Sequence, residues 1–160
     1  MLTYSLIIDK TLNMKKKYIL DKLDFVLSNK KGWKKLGYKF KYIDDIKDID
    51  ILIYISPNDY IDNVCGFDKK YKLSCAVTQS NKPNKGIIYL NVDNWRNGSK
   101  LSKLCLQDYR NYMINHEIGH ILGRDHLFAK DYKNKLAPVM IQQTKGIENC
   151  IPNCWPLVFE

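Results

Sequence analysis

The sequence predicts an α/β fold in one domain, because strand-like and helix-like segments alternate along it. Its 160 residues, 45% of them hydrophobic, suit a single core. We find no internal repeat, low-complexity linker or domain boundary. We therefore expect one domain over residues 1–160. The sheet and the first helix should occupy about residues 1–100, and a second long helix and the C-terminal segment about residues 101–160.

The opening of the chain supplies the first strand and the first helix. The segment LTYSLIID, from Leu2 to Asp9, reads as a strand. The segment MKKKYILDKLDFVLSN, residues 14–29, carries apolar residues at helical spacing and predicts an α-helix. These apolar residues are Ile19, Leu20, Leu23, Val26 and Leu27.

Four further strands are predicted between residues 38 and 92. YKFKYI, residues 38–43, alternates as a half-buried strand does. IDILIYI, residues 49–55, is a nearly continuous apolar run that suits a central strand. YKLSCAVT, residues 71–78, and GIIYLNV, residues 86–92, are two more strands, separated by the turn-rich QSNKPNKG.

The last helix is predicted from about Gln107 to Leu122. It is apolar nearly all round, which is typical of a buried helix. Gly119 lies inside it and lowers helix stability by about 1 kcal/mol relative to alanine. The glycine therefore predicts that something packs closely against the helix at this position.

All three histidines of the chain lie in one segment, NHEIGHILGRDH, from Asn115 to His126. A helix turns once every 3.6 residues, so His116 and His120 lie one turn apart on the same face and can bind one ion together. Gly123 permits the left-handed turn that commonly ends a helix, after which His126 can return as a third ligand. The spacing thus predicts a metal site.

Glu117 supplies a candidate catalytic residue beside that site. It points about 100° around the helix from His116, so its carboxylate can lie beside the ion without ligating it and act as a general base. Three imidazoles leave one position of a zinc ion open, which is typical of catalytic rather than structural zinc sites. A zinc-binding protein that had lost activity would keep the histidines and lose the base, whereas Glu117 is present.

These residues resemble a known family. HEIGHILGRDH resembles the zinc-binding motif of the metzincin peptidases, and its form H-E-x-G-H-x-L-G-x-x-H is similar to the matrixin version. APVMIQQT resembles the methionine turn that lies beneath the metal in metzincins. Met140 stands fourteen residues after His126 and follows Ala137 and Pro138 in this segment.

A narrower resemblance rests on the motifs YRNYMINHEIGH, CGF, APVMIQQTKG and CIPNCWP, between Cys65 and Pro156. Together they are similar to an uncharacterised family of metzincin-like domains, mostly predicted to be secreted in bacteria. They cover roughly the last three fifths of the chain. The first 60 residues match in the order of their elements.

The metzincin resemblance implies a fold and an activity. It implies a twisted, mostly parallel sheet with an antiparallel edge strand, which YKLSCAVT would form beside the cleft. An extended peptide would pair with that strand by main-chain hydrogen bonds. The implied activity is that of a zinc-dependent endopeptidase, with Zn²⁺ on His116, His120 and His126 and with Glu117 as general base and acid. We expect a monomer that acts on peptides or proteins.

Two departures limit what the resemblance implies. Many metzincins have a tyrosine two residues after the turn methionine that helps to stabilise the transition state, and Gln142 stands there in this chain. The residue that stabilises the oxyanion is therefore unassigned. The narrower family commonly has a cysteine after the third histidine, and HLFAKDYKNK contains none, so we expect a different disulfide pattern.

The five cysteines are informative about the cellular compartment in which the protein folds. The match to CGF implies a disulfide between Cys65 and Cys75, which favours an extracellular or other oxidising compartment. Cys150 and Cys154 are candidates for a second, tight bridge, which would leave Cys105 over. The alternatives are five reduced cysteines in an intracellular protein, or zinc ligation by the last pair, for which no second pair is present. The opening residues lack the features of an export signal.

The charge balance raises a different function. A net charge of +9 and a pI of about 9.2 are compatible with nucleic-acid binding. The basic residues, however, are 23 lysines and three arginines spread along the chain, so we expect no nucleic-acid partner. A non-peptidase zinc hydrolase and an inactive binding module remain the alternatives. No apolar run of about 18 residues occurs, so we expect no membrane span.

Overall fold

The computed structural model describes residues 1–66 and 71–160. Five strands in these residues form one sheet: β1 (Leu2–Ile8), β2 (Phe40–Tyr42), β3 (Ile51–Ser56), β4 (Cys75–Thr78) and β5 (Gly86–Asn91). Four α-helices accompany it in the same part of the chain: α1 (Lys16–Ser28), α2 (Asn58–Cys65), α3 (Val92–Asn97) and α4 (Leu106–Ile121). Phe67 of the CGF motif lies outside the described residues.

The sheet has the strand order β2-β1-β3-β5-β4. Four strands run parallel, and β4 pairs antiparallel with β5 at one edge. Residues 79–85 join these two strands, and a short connection suits antiparallel neighbours, whereas parallel neighbours need a longer crossover. The prediction of a mixed α/β domain with a mostly parallel sheet and an antiparallel edge strand is confirmed.

One face of the sheet forms the core. Ile51, Ile53 and Ile55 alternate along β3, and none is more than 1% exposed. The register places Ile53 beside Leu6 of β1 on one side and Ile88 of β5 on the other. The buried face of α1 joins the same core through Ile19, Leu23, Val26 and Leu27. The apolar run of β3 therefore lies at the centre of the sheet, as predicted.

Helix α4 is buried on almost every side. It begins and ends one residue before the predicted bounds, and 11 of its 16 residues are buried. A Cβ atom at Gly119 would lie 2.9 Å from Cζ2 of Trp33 and closer still to Sδ of Met140. The predicted close packing at Gly119 is thus confirmed, and the helix is held at a fixed distance from the segment around Met140.

Helices α2 and α3 are additions to the predicted elements. They are eight and six residues long, about two turns each, which is too short for a hydrophobic period to be recognised. None of the helices in residues 1–66 and 71–160 has the length and the apolar content needed to cross a membrane.

Strand β4 is shorter than predicted, since it begins at Cys75 and not at residue 71. The side-chain nitrogen Nδ2 of Asn94 donates hydrogen bonds to the backbone carbonyl oxygens of Tyr71 and Lys72, at 3.0 and 2.7 Å. The hydroxyl of Ser74 accepts a hydrogen bond from the backbone nitrogen of Asn91 at 2.9 Å. Side chains therefore satisfy the backbone groups that a neighbouring strand would otherwise pair.

Candidate metal centre

The end of α4 brings the three histidines together. Gly123 adopts a left-handed conformation with φ of +80°, which suits glycine because it lacks a Cβ atom. The backbone nitrogen of Arg124 donates to the carbonyl of Gly119 at 2.9 Å, and that of Gly123 donates to His120 at 3.0 Å. These bonds end the helix and turn the chain, so that His126 returns towards the helix as predicted.

The Nε2 atoms of the histidines converge on one point. Nε2 of His120 lies 3.2 Å from Nε2 of His116 and 3.0 Å from Nε2 of His126. Two nitrogens that each lie about 2.0–2.1 Å from a tetrahedral ion are about 3.3–3.4 Å apart. The candidate ligand atoms of all three residues lie within 4.8 Å of one another, and the cluster could hold a metal ion.

The other ring nitrogens fix the tautomers. Nδ1 of His116 lies 2.6 Å from the carbonyl oxygen of Val139, and Nδ1 of His120 lies 2.9 Å from that of Arg124. A carbonyl oxygen accepts hydrogen bonds, so each Nδ1 carries the proton and donates it. Each Nε2 is thereby left with a lone pair directed at the cluster centre, as a metal ligand requires.

Electrostatics keep the histidines neutral. Burial and the neighbouring His120 lower the pKa of His116 to about 3. Burial, followed by His120 and Lys145, lowers the pKa of His126 to about 4. Burial also lowers the pKa of His120. At neutral pH all three imidazoles are therefore in the form that binds a metal.

Glu117 is buried beside the histidines, with 4% of its surface exposed. Its Oε2 atom has no hydrogen-bond partner among the described residues. Burial raises the pKa of Glu117 to about 8, so the carboxyl group can exchange a proton near neutral pH. A buried carboxyl oxygen without a partner is rare in folded proteins and suggests a group that acts on another molecule.

The segment that resembles the methionine turn packs against the helix that carries the first two histidines. Met140 is 1% exposed and packs on Gly119 of α4. The hydroxyl of Tyr112 donates to the carbonyl of Ile141 at 3.0 Å and accepts from the backbone nitrogen of Gln143 at 2.9 Å. Together with the bond from His116 to Val139, these contacts fix the segment to helix α4.

A cleft of about 550 Å³ opens above the cluster. Its walls include Ala76 and Thr78 of β4 on one side and His116, Glu117 and His120 of α4 on the other. The cleft therefore runs between the edge of the sheet and the candidate metal site. This arrangement leaves room for an extended chain beside the edge strand.

Several residues of the site were not identified from the sequence. Gln142 and Thr144 both line the cleft, and the hydroxyls of Thr144 and Tyr109 lie 2.7 Å apart. The carboxylate of Glu160 accepts a hydrogen bond from the backbone nitrogen of Met140 at 2.8 Å. Only tertiary structure brings these groups together. Gln142 and Thr144 did have a sequence signal, because both belong to the APVMIQQT segment and Gln142 stands at the position of the metzincin tyrosine.

The cysteines follow the predictions in part. Cys65 and Cys75 form a disulfide, as expected. The predicted bridge between Cys150 and Cys154 is wrong, because both are free and buried in different surroundings. Cys150 packs in a small cluster with Ala137, Ile141 and Ile147, whereas Cys154 belongs to the main core. Cys105 is free and exposed.

Comparison with known proteins places the chain in a family. No curated protein matches it. A family model described as "Protein of unknown function (DUF3152)" matches residues 1–153. That match includes all five strands of the described residues, the helix that carries His116 and His120, and the segment around Met140. The chain therefore belongs to the DUF3152 family.

Proposed function

We propose that this protein is a zinc-dependent endopeptidase of the metzincin type. One observation carries the proposal: three convergent histidine nitrogens open, together with Glu117, into a cleft beside the antiparallel edge strand. Each of these features also occurs in proteins that are not peptidases. A three-imidazole cluster, an orphaned buried carboxyl oxygen and an edge strand in one cleft together favour hydrolysis of an extended peptide.

His116, His120 and His126 would hold the zinc ion. A set of three neutral imidazoles suits zinc and leaves a coordination position that no protein side chain takes. When bound, the ion would supply Lewis-acid activation of water and of the substrate carbonyl. The backbone carbonyls of Val139 and Arg124 orient the first two rings for this task.

Glu117 would move the proton. It accepts a proton from the attacking water and returns it to the nitrogen of the leaving amine, so that its Oε atoms act first as base and then as acid. Burial alone raises the pKa of Glu117 to about 8, and a cation held by the histidines would favour the carboxylate form that can accept the proton. The orphaned Oε2 is consistent with this role, because a permanently bonded oxygen would have to break a hydrogen bond in every cycle.

Strand β4 would bind the substrate. It pairs with β5 along one side, and its residues also line the cleft. An extended peptide could add to this edge by main-chain hydrogen bonds and bring a carbonyl group to the metal. Binding of this kind recognises the backbone, so it suits a peptidase better than a hydrolase of small esters.

Metal analysis and cleavage profiling test the proposal. Purified protein should carry about one zinc per chain and should cut members of a mixed peptide library. A chelator should stop cutting, and added zinc should restore it. His120→Ala should lose the metal because two imidazoles bind zinc too weakly, whereas the exposed control Lys133→Gln should behave as the parent.

Two outcomes would contradict the proposal. Stoichiometric zinc in the variant with all three histidines changed to alanine would reject the ligand set. A zinc-loaded protein that cuts nothing in a broad library would favour the inactive binding module, and one that cleaves esters but no peptides would favour the non-peptidase hydrolase.

A further inference from the structure

A second hollow lies apart from the cleft above the histidines. It has a volume of about 770 Å³ and is formed by α1 and the residues before it, by α3 and by the first turns of α4. It shares no lining residue with the cleft above the histidines. A hollow of this size is in the range of sites that bind small organic molecules.

Positive charge is concentrated in this hollow. Four basic residues line it: Lys15, Lys22, Arg96 and Arg110. None of the four forms a salt bridge within the described part of the chain. The acidic residue in the lining, Asp21, is paired with Lys17 at 2.6 Å. We call this site the basic hollow.

The choice of basic residue is informative. The chain has 23 lysines and only three arginines, yet Arg96 and Arg110 both line the basic hollow. Arginine differs from lysine in offering a planar fork of donors that fits carboxylate, sulfonate and phosphate groups. Two of three arginines in one hollow is more than the general lysine-rich composition explains.

Lys22 and Arg110 both contribute positive charge to the basic hollow. Nε of Arg110 donates to the carbonyl oxygen of Trp95 at 2.7 Å, and its guanidinium lies 5.2 Å from the centre of the Trp95 ring. Burial and the nearby Arg110 lower the pKa of Lys22, an effect that Asp108 only partly opposes. The Nε atom of Arg110 is already bonded to Trp95, so its charge acts on Lys22 from a fixed position. An anion bound at Lys22 would offset this repulsion, and Arg96 lines the same hollow and can serve as the second cation.

Aromatic surface completes the basic hollow. Tyr18 and Phe25 are 69% and 50% exposed, and both line it together with the buried Trp95. The ammonium group of Lys15 lies 5.9 Å from the centre of the Tyr18 ring, and that of Lys22 lies 5.3 Å from the centre of the Phe25 ring. Cationic and aromatic surface are therefore adjacent in this hollow. The aromatic faces can contact a flat apolar body while the cations bind its charged group.

We propose that the basic hollow binds a small organic anion, with a flat apolar body against Tyr18 and Phe25 and a carboxylate, sulfonate or phosphate group on Lys22 and Arg96. The site is separate from the proposed peptidase cleft and needs no metal. Its recognition combines charge and shape, so neither an inorganic anion nor a neutral ring should bind it well.

Titration with 8-anilinonaphthalene-1-sulfonate tests this site, because the probe is an aromatic sulfonate whose fluorescence rises in apolar surroundings. The zinc-loaded full chain should bind it, and the double variant Lys22→Gln with Arg96→Gln should bind at least about tenfold more weakly. The double variant Lys30→Gln with Lys34→Gln removes the same charge outside the hollow and should bind as the parent does. Tyr18→Ala should weaken binding several-fold without removing a charge.

Competition gives the second readout. Benzoate should displace the probe, whereas inorganic phosphate and benzyl alcohol at equal concentration should not. Equal affinity of the parent and the Lys22/Arg96 variant, with melting curves showing both folded, would overturn the proposal. Equal displacement by benzyl alcohol would overturn it too, because charge would then play no part.

Discussion

Glu117 is the residue whose substitution tests the proposed catalytic step most directly. Glu117→Gln keeps the size of the side chain and leaves the three histidines unchanged, so zinc content and folding should persist. An amide cannot accept the proton of water or return it to the leaving amine, so the cleavage rate should fall by about 100- to 10,000-fold. Rates should be measured on a peptide that the parent cuts, at matched zinc occupancy. Equal rates in the two proteins would mean that Glu117 is not the base.

The same residue should make the metal-free protein sensitive to pH. In the unfolded chain Glu117 titrates near its ordinary pKa of 4.5, whereas burial raises the pKa to about 8 in the folded chain. As the pH rises from about 5 to 8, the unfolded chain releases this proton while the folded chain keeps it. The free energy of unfolding of the parent should therefore fall relative to that of Glu117→Gln.

Urea unfolding of both proteins at pH 5 and pH 8, after removal of metal, measures this difference. The fall in the parent's free energy of unfolding, relative to that of Glu117→Gln, should be smaller when zinc is restored, because a nearby cation favours the charged carboxylate. A constant difference between the two proteins across this range would show that the fold does not raise the pKa of Glu117.

Helix α4 depends on the absence of a side chain at Gly119. Gly119→Ala would gain about 1 kcal/mol of helix propensity. The added methyl group, however, would collide with Met140 and Trp33, and overpacking of a core typically costs about 1–3 kcal/mol. We expect a lower melting temperature, measured by circular dichroism. The exposed position Gln107 in the same helix is the control, where alanine should be nearly neutral, and an unchanged Gly119→Ala protein would contradict the close packing.

At the scale of elements, prediction succeeded where the signal was local. α4 was placed within one residue and β3 at the centre of the sheet, because a long buried helix and an apolar run each carry their own pattern. The beginning of β4 was misplaced because its boundary depends on Asn94, which lies about twenty residues further along the chain. Such a contact has no local pattern.

The residues of the candidate site likewise fall into those that the sequence predicts and those that only the fold reveals. His116, His120, Glu117 and Met140 could be named from a motif with fixed spacing. Their supporting groups could not, because the carbonyl of Val139 reaches His116 only through the fold. The pairing of Cys150 with Cys154 failed for a related reason, since closeness in sequence does not decide which cluster each thiol enters.

The disulfide connects two layers of the whole molecule. Cys65 ends α2, and Cys75 begins the edge strand that bounds the cleft. Closing a loop of 10 residues restricts the unfolded chain and should stabilise the fold by roughly 2–3 kcal/mol. Reduction should therefore lower the melting temperature by several degrees.

Thiol alkylation of the folded, oxidised protein checks the bridge directly. Cys105 is exposed and should react at once, which makes it an internal control. Cys65 and Cys75 should react only after reduction, whereas the buried Cys150 and Cys154 should react on unfolding alone. Labelling of Cys65 and Cys75 without a reductant would contradict the disulfide. The reason to favour an oxidising compartment would then be lost.

The shortness of β4 limits how many residues of a peptide could pair with this strand in the proposed binding mode. Four residues at about 3.4 Å each extend roughly 14 Å, and alternate backbone groups of a strand point to opposite sides. About two residues of β4 can therefore offer hydrogen bonds to a peptide in the cleft, the others being committed to β5. Affinity for the backbone would be modest, and side chains far from the cut bond would have little influence on the rate. A peptidase built on this edge would therefore recognise only a few positions of its substrate through the strand.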